Sequence, residues 1–269
     1  MGTREGMTIH ATGHPPGEQE ECRIRIAAAG DVHYGGEHDR DRAKAAFAGL
    51  AGRVDLVLLA GDLTTHGVPE QAAIAAEAAP EAGAPVLTVL GNHDWHSNRA
   101  AEVAAVLEES GIVVLDRSHH VLEACGAQVG VAGAKGFVGG FTGSHIPDFG
   151  EPLLREVYAQ GMDEVAGLDA SLRAIDMCPF RIALLHYAPT AETLEGERRD
   201  IWAFLGTDRL AVPIAEHAPD LVLHGHAHAG TFSGRVGEVP VYNVSVPVMG
   251  EDWWVFELSG AARAPSEVH

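Results

Sequence analysis

Three histidines at alternate positions close the stretch Leu221-Val-Leu-His224-Gly-His226-Ala-His228, and an apolar run of strand type leads straight into them. Neutral imidazole offers a nitrogen lone pair and is the commonest metal ligand. Residues two apart on an extended segment point to the same side, so His226 and His228 are expected to face one centre, with Gly225 letting the backbone pass close to it. In a chain with 16 histidines a chance cluster is the alternative. Against chance, the arrangement recurs upstream. Arg23–Gly30 ends in Asp31-Val-His33, Val54–Gly61 in Asp62, Pro85–Gly91 in Asn92-His93-Asp94, and Phe180–Leu185 in His186. Five strands would thus deliver carboxylate, amide and imidazole groups at their carboxyl ends, where open α/β sheets bind their ligands.

The elements that position these residues alternate. From residue 23 the pattern reads strand, helix, strand, helix, strand, helix, with helices over 39–51, 68–82 and 98–109. Such alternation implies parallel strands joined by right-handed crossovers. The short apolar runs 112–115, 121–124 and 128–132 then suggest an antiparallel or mixed set. The Gly- and Phe-rich loop 133–150 is long for a compact domain. It is either a loop over the site, bringing Lys135 or His145 to substrate, or a surface excursion. Residues 152–176 and 208–218 read as helices, separated by the strand ending at His186 and a long connection, 187–207. Within that connection Arg198 and Arg199 are either a phosphate grip or a solvated helix face. The segments 230–237, 239–246 and 253–258 read as antiparallel strands, the last with adjacent Trp253 and Trp254 on opposite sides.

Composition bounds the function. With 18 Lys+Arg against 38 Asp+Glu the formal charge is −20, a field that disfavours nucleic acid and anionic lipid but leaves small phosphate esters open where a metal dominates locally. Cys22, Cys125 and Cys178 form no CxxC or disulfide framework, which suits a reducing, cytoplasmic setting. No membrane span or signal peptide is visible. Residues 1–21, rich in Gly, Pro, Glu and His, read as a disordered leader, 22–260 as one domain and 261–269 as a tail. The oligomeric state is open, a homodimer included.

Together Asp31-x-His33, Gly61-Asp62, Gly91-Asn92-His93-Asp94, His186 and Gly225-His226-Ala-His228 resemble the calcineurin-like metallophosphoesterases, with all five blocks in family order. The resemblance implies a four-layer α/β/β/α sandwich of two mixed sheets flanked by helices, the second sheet built from residues 112–132 and 230–258. It implies two metal ions. One would be held by Asp31, His33, Asp62 and His228, the other by Asp62, Asn92, His186 and His226, with Asp62 bridging. Such mixed oxygen and nitrogen donors suit Mn, Fe, Zn or Co. Two divalent ions against two carboxylates would leave a cationic pocket in an acidic protein. The resemblance further implies hydrolysis by a hydroxide bridging the metals, with His93 as general acid rather than ligand. Asp94 is the residue expected to orient it. His224 is expected to support the ligands, and His38, His66, His96 and His145 to lie at the rim.

Two departures refine this expectation. Where protein Ser/Thr phosphatases of the superfamily place Asp-Arg-Gly, this chain has Thr65-His66-Gly67, so their phosphate-binding arginine is missing. Asp94 also stands where those phosphatases carry Glu. Both favour a phosphodiester, a cyclic nucleotide or small nucleotide diester, over a monoester or the pyrophosphate bond of a nucleotide conjugate. A non-catalytic metal-binding module is the reading from another class.

Overall fold

The structure, a computed structural model, describes residues 2–10 and 21–261. Its strands are β1 (Thr3–His10), β2 (Glu21–Ala29), β3 (Leu56–Ala60), β4 (Val86–Val89), β5 (Val113–Val114), β6 (Ser118–Ala124), β7 (Ala127–Ala134), β8 (Gly140–Phe141), β9 (Ser144–His145), β10 (Phe180–Leu185), β11 (Leu221–His224), β12 (Ser233–Val236), β13 (Val239–Asn243) and β14 (Trp253–Ala261). The helices are α1 (His38–Ala48), α2 (Pro69–Ala78), α3 (Ala100–Glu109), α4 (Pro152–Ala174), α5 (Trp202–Leu205), α6 (Ala211–His217) and α7 (Val246–Met249).

Two six-stranded sheets carry the fold, ordered β1-β14-β2-β3-β4-β5 and β12-β13-β11-β10-β7-β6. Strands β2 to β5 are parallel, as are β7, β10, β11 and β13; β14 runs antiparallel to β2, and β6 and β12 are antiparallel to their neighbours. Every residue of β3 is buried, as expected for a central parallel strand covered on both faces. In β10 and β11 alternation sorts the side chains. Ile182, Leu184, Leu221 and Leu223 join Ile26, Leu56 and Leu58 in one core, while Ala183, Leu185 and Val222 pack with Leu168 and Leu172 of α4 and Ile214 of α6. Helices α1 to α3 bury Phe47, Ala75, Val103 and Leu107 on the first sheet. The layers are therefore helix, sheet, sheet, helix.

The sheets are not divided as the sequence suggests. Strand β5 and the long β14 belong to the first sheet, so residues 113–114 and 253–258 leave the second one. Short apolar runs carry no mark of the sheet that recruits them; β14 joins the first sheet by pairing along its length with β2 on one side and β1 on the other. Trp253 is buried edge-on to Phe47 of α1 and donates its indole N–H to the Ala46 carbonyl, while Trp254 packs at a tilt against Phe232, ring centroids 4.3 Å apart, on the opposite face. The disorder expected of the leader is corrected at residues 3–10. They form edge strand β1, parallel to β14, with Gly2 donating to Glu251 and Arg4 lying 5.8 Å from the Trp254 ring. Local composition does not register such long-range pairing. Residues 11–20 and 262–269 lie outside the described residues. Among the described residues no helix is long and apolar enough to cross a membrane.

Candidate active site

Three strands of the first sheet (β2, β3, β4) and two of the second (β10, β11) end at one place, and the polar residues that follow them converge there. The ligand atoms of Asp31, His33 and His228 lie within 4.8 Å of one another, as do those of His33, Asp62 and His93, and those of Asp62, His186 and His226. Asp62 is thus common to two groups. His33 Nε2 lies 3.8 Å from one of its oxygens and His186 Nε2 3.4 Å from the other. Asn92 Oδ1 is 2.9 Å from His186 Nε2.

The backbone is strained where it presents these groups. Asp31, His33, Asp62 and His226 have φ of 57°, 45°, 52° and 71°. The left-handed region is uncommon for residues with a Cβ, and strain of this kind gathers at functional sites. His226 and His228 meet the same centre, but not through strand parity. Strand β11 ends at His224, and the turn at His226 aims its ring at Asp62 and His186 while His228 goes to Asp31. Two glycines leave room. A Cβ on Gly91 would stand 2.1 Å from Asp62 Oδ1, and one on Gly225 2.3 Å from Asp31 Oδ2. Replacing Gly91 with Ala should displace the Asp62 carboxylate and lower metal content and turnover together. An unchanged metal stoichiometry in that variant would show that the carboxylate has room to move.

Hydrogen bonds fix the histidine tautomers. His186 Nδ1 donates to the Ala60 carbonyl at 2.8 Å, leaving Nε2 as a lone-pair atom facing Asn92 and Asp62. His226 Nε2 donates to the Phe204 carbonyl at 3.1 Å, leaving Nδ1 free for the site. Burial, then the neighbouring His186, pushes the His226 pKa down to about 3, so the ring is neutral. His33 is likewise lowered, by burial first, and its buried Nε2 has no hydrogen-bond partner. Burial works against the charge of Asp31, but the His228 hydrogen bond, the His186 and His228 charges and the His226 N–H outweigh it and hold the carboxyl below its usual range. Asp62 goes the other way: burial, with the Asp31 charge adding to it, raises its pKa.

Imidazoles that burial biases to the neutral form at His33 and His226, an orphaned buried nitrogen, a His228 ring paired with Asp31, an amide oxygen and two buried carboxylates form a donor set that fits transition-metal ions. The residues expected from the sequence as ligands are all brought to it.

Asp94 has a different place from the one expected. It accepts from the backbone N–H of Gly91 and Thr64, from the Thr64 hydroxyl and, at 3.3 Å, from Leu63 N–H. It ties the loop after β3 to the loop after β4 rather than orienting His93, because the turn at His93–Trp95 carries the two side chains apart. The partner of His93 is the Thr65 carbonyl, 2.9 Å from Nδ1. No sequence signal marks a backbone carbonyl for that task. The ring lies edge-on to His33, centroids 4.6 Å apart. His224 is buried with both ring nitrogens engaged, by the Gly225 carbonyl and the Thr193 hydroxyl, so it supports the turn and is no ligand.

The remaining candidates separate cleanly. Arg198 pairs with Asp200 and Arg199 with Glu195 on the exposed surface, which makes them a solvated face. His145 pairs with Asp208 at 2.7 Å, and His38 with Asp39 at the surface. His96 stacks on His93 at 6.1 Å, with His66 a further 6.4 Å along the rim. Of loop 133–150, Lys135 is the residue that reaches the site wall: its carbonyl accepts the His186 N–H at 3.1 Å.

A family model described as calcineurin-like phosphoesterase matches residues 24–230. The chain belongs to that family. It is a metal-dependent phosphoester hydrolase. Solved structures of similar fold include phosphopantetheinyl hydrolase (PptH) from Mycobacterium tuberculosis, at 16% identity and TM-score 0.61 over 84% of this chain and 90% of that one. Another is TT1561 of Thermus thermophilus, at 19% identity and TM-score 0.52 over 89% of this chain and 99% of that one. A hypothetical protein from the same organism follows at 20% identity, TM-score 0.51, over 82% and 75%. Curated protein sequences give no match.

Proposed function

We propose that this phosphoesterase hydrolyses a phosphodiester, a cyclic nucleotide or small nucleotide diester, at a dinuclear metal centre. The observation that carries the choice is the loop after Asp62. Where a guanidinium would neutralise the second charge of a monoester, Thr65 turns its hydroxyl to the His33 carbonyl at 2.7 Å, and the His66 backbone is tied to Gln71. A diester brings one negative charge fewer and needs no such group.

Asp31, His33, Asp62 and His228 would hold one metal ion, and Asp62, Asn92, His186 and His226 the other. Such a pair, when bound, supplies Lewis acidity and an acidified water. The chain's own residues do the rest. Asp62 ties the two groups together, with its Oδ1 fixed by the His93 backbone N–H at 2.8 Å. His93 is held at Nδ1 by Thr65, so that as imidazolium it carries its other proton on Nε2, for the departing oxygen. The ring stays put because turn and carbonyl both constrain it. The free thiols of Cys22, Cys125 and Cys178 support a reducing, cytoplasmic setting, and the −20 charge supports a small substrate rather than a nucleic acid.

A paired rate assay tests the reading. Protein stripped of metal and reloaded with Mn²⁺ should cleave bis-(p-nitrophenyl) phosphate with a higher kcat/KM than p-nitrophenyl phosphate. The reverse order would overturn the diester assignment.

A further inference from the structure

Trp95 leaves 47% of its surface in solvent, two residues beyond His93 in the same short turn. The Lys135 ammonium lies 5.9 Å from its ring centroid, and also 4.6 Å from Phe137 and 5.2 Å from Tyr187. Lys135 is only 8% exposed and donates to the Gly136 carbonyl at 3.1 Å; among the described residues no carboxylate comes within salt-bridge distance of it. Tyr187 in turn lies 4.4 Å from the His226 ring and edge-on to His186 at 5.4 Å. A continuous wall therefore runs from two of the candidate ligands, through an aromatic-boxed cation, to an indole open to solvent.

Trp95, Lys135, Phe137 and Tyr187 stand outside the metal groups. The open face of an indole beside a polar site suits a flat, aromatic partner. Stacking on an exposed aromatic ring accepts any base, because every base has a π-face.

We propose that Trp95 is a stacking platform for a nucleobase, so that the organic group of the ester is a nucleoside lying against the indole while its phosphate sits at the metal-ligand groups beside His93. The proposal rests on the phosphodiesterase reading and adds the group that is recognised.

Adenosine 5′-monophosphate and ribose 5-phosphate differ only in the base, and calorimetric titration of each into the Mn²⁺-loaded protein separates the two ideas. Adenosine 5′-monophosphate should bind roughly 10- to 100-fold more tightly, the scale of one base–aromatic stack. Trp95→Ala should bring the two affinities together while that of ribose 5-phosphate stays in place, and Trp95→Phe should keep most of the difference. Equal affinities in the wild type would overturn the platform and leave the phosphoesterase reading standing, because ribose 5-phosphate still reports the phosphate site. A difference that survives Trp95→Ala would likewise place the base elsewhere. Failure of both ligands to bind would overturn the platform, since a stacked base should hold even a monoester at the loaded site, and would leave the diester reading to the paired rate assay.

Discussion

Asp62→Asn is expected to lower kcat by more than 10³-fold, beyond the roughly 10²- to 10³-fold loss of a single transition-state donor, and yet to stabilise the metal-free protein. Asp62 is a member of two of the three ligand groups and is 1% exposed. Its carboxyl has a raised pKa, through burial first and then the charge of Asp31. The sign follows by linkage. A carboxyl with a folded pKa above its unfolded one keeps its proton longer in the native state. Metal-free stability therefore falls as pH rises from the unfolded value, about 3.9, through the folded one, and stays reduced at neutral pH. Asparagine keeps the shape and the acceptor for the His93 N–H while removing the charge. The metal-free variant should then melt above the metal-free wild type, each kcal/mol being worth about 2–4 °C in a domain of this class.

Metal reverses the order. Ions that bind only the folded state stabilise it by mass action, about 2.7 kcal/mol at one hundred times Kd, and the wild type should gain that while the variant does not. Differential scanning calorimetry with and without Mn²⁺ at neutral pH would show crossing stabilities. A variant that melted below the wild type without metal, or rose as far as the wild type with it, would remove Asp62 from the centre.

The chemistry of the site was more legible in the sequence than the sheets that build it. An apolar run ending in Gly and then a polar residue is a local pattern. Gly91 shows why it has this form: its missing Cβ is the space that Asp62 Oδ1 occupies. Sheet membership is not local. Val113–Val114 and Trp253–Leu258 read as members of the second sheet, whereas pairing with β4 and with β2 and β1, partners distant in sequence, puts them in the first. Residues 3–10 read as a leader because an edge strand exposes one side to water and its pairing partner lies some 250 positions away. Parity brought His226 and His228 together for a reason that does not hold, since a turn with positive φ at His226, and not a strand, aims the rings. Asp94 illustrates the opposite failure. Its place next to His93 suggested a paired carboxylate, whereas four donors from Gly91, Leu63 and Thr64 claim it entirely. Burial, with Asp62 nearby, raises its pKa, which marks it as a tie within the apolar interior.

Replacing His93 with Ala separates its role from that of the ligands around it. The ring lies within 4.8 Å of ligand atoms of Asp62 and His33, so proximity alone does not say whether it binds metal or handles a proton. The Thr65 carbonyl, 2.9 Å from Nδ1, fixes the proton on that nitrogen and the orientation of the ring, as carbonyls do for His186 and His226; leaving-group dependence and metal content tell the two roles apart. As a general acid His93 contributes in proportion to how much the departing oxygen needs a proton. Loss of about 10²- to 10⁴-fold in kcat is therefore expected with an alkoxide leaving group, and a far smaller loss with p-nitrophenolate, which leaves without help. The metal content of the variant should match the wild type. Equal losses with good and poor leaving groups would point to a positioning role instead, and a loss of metal would make His93 a ligand.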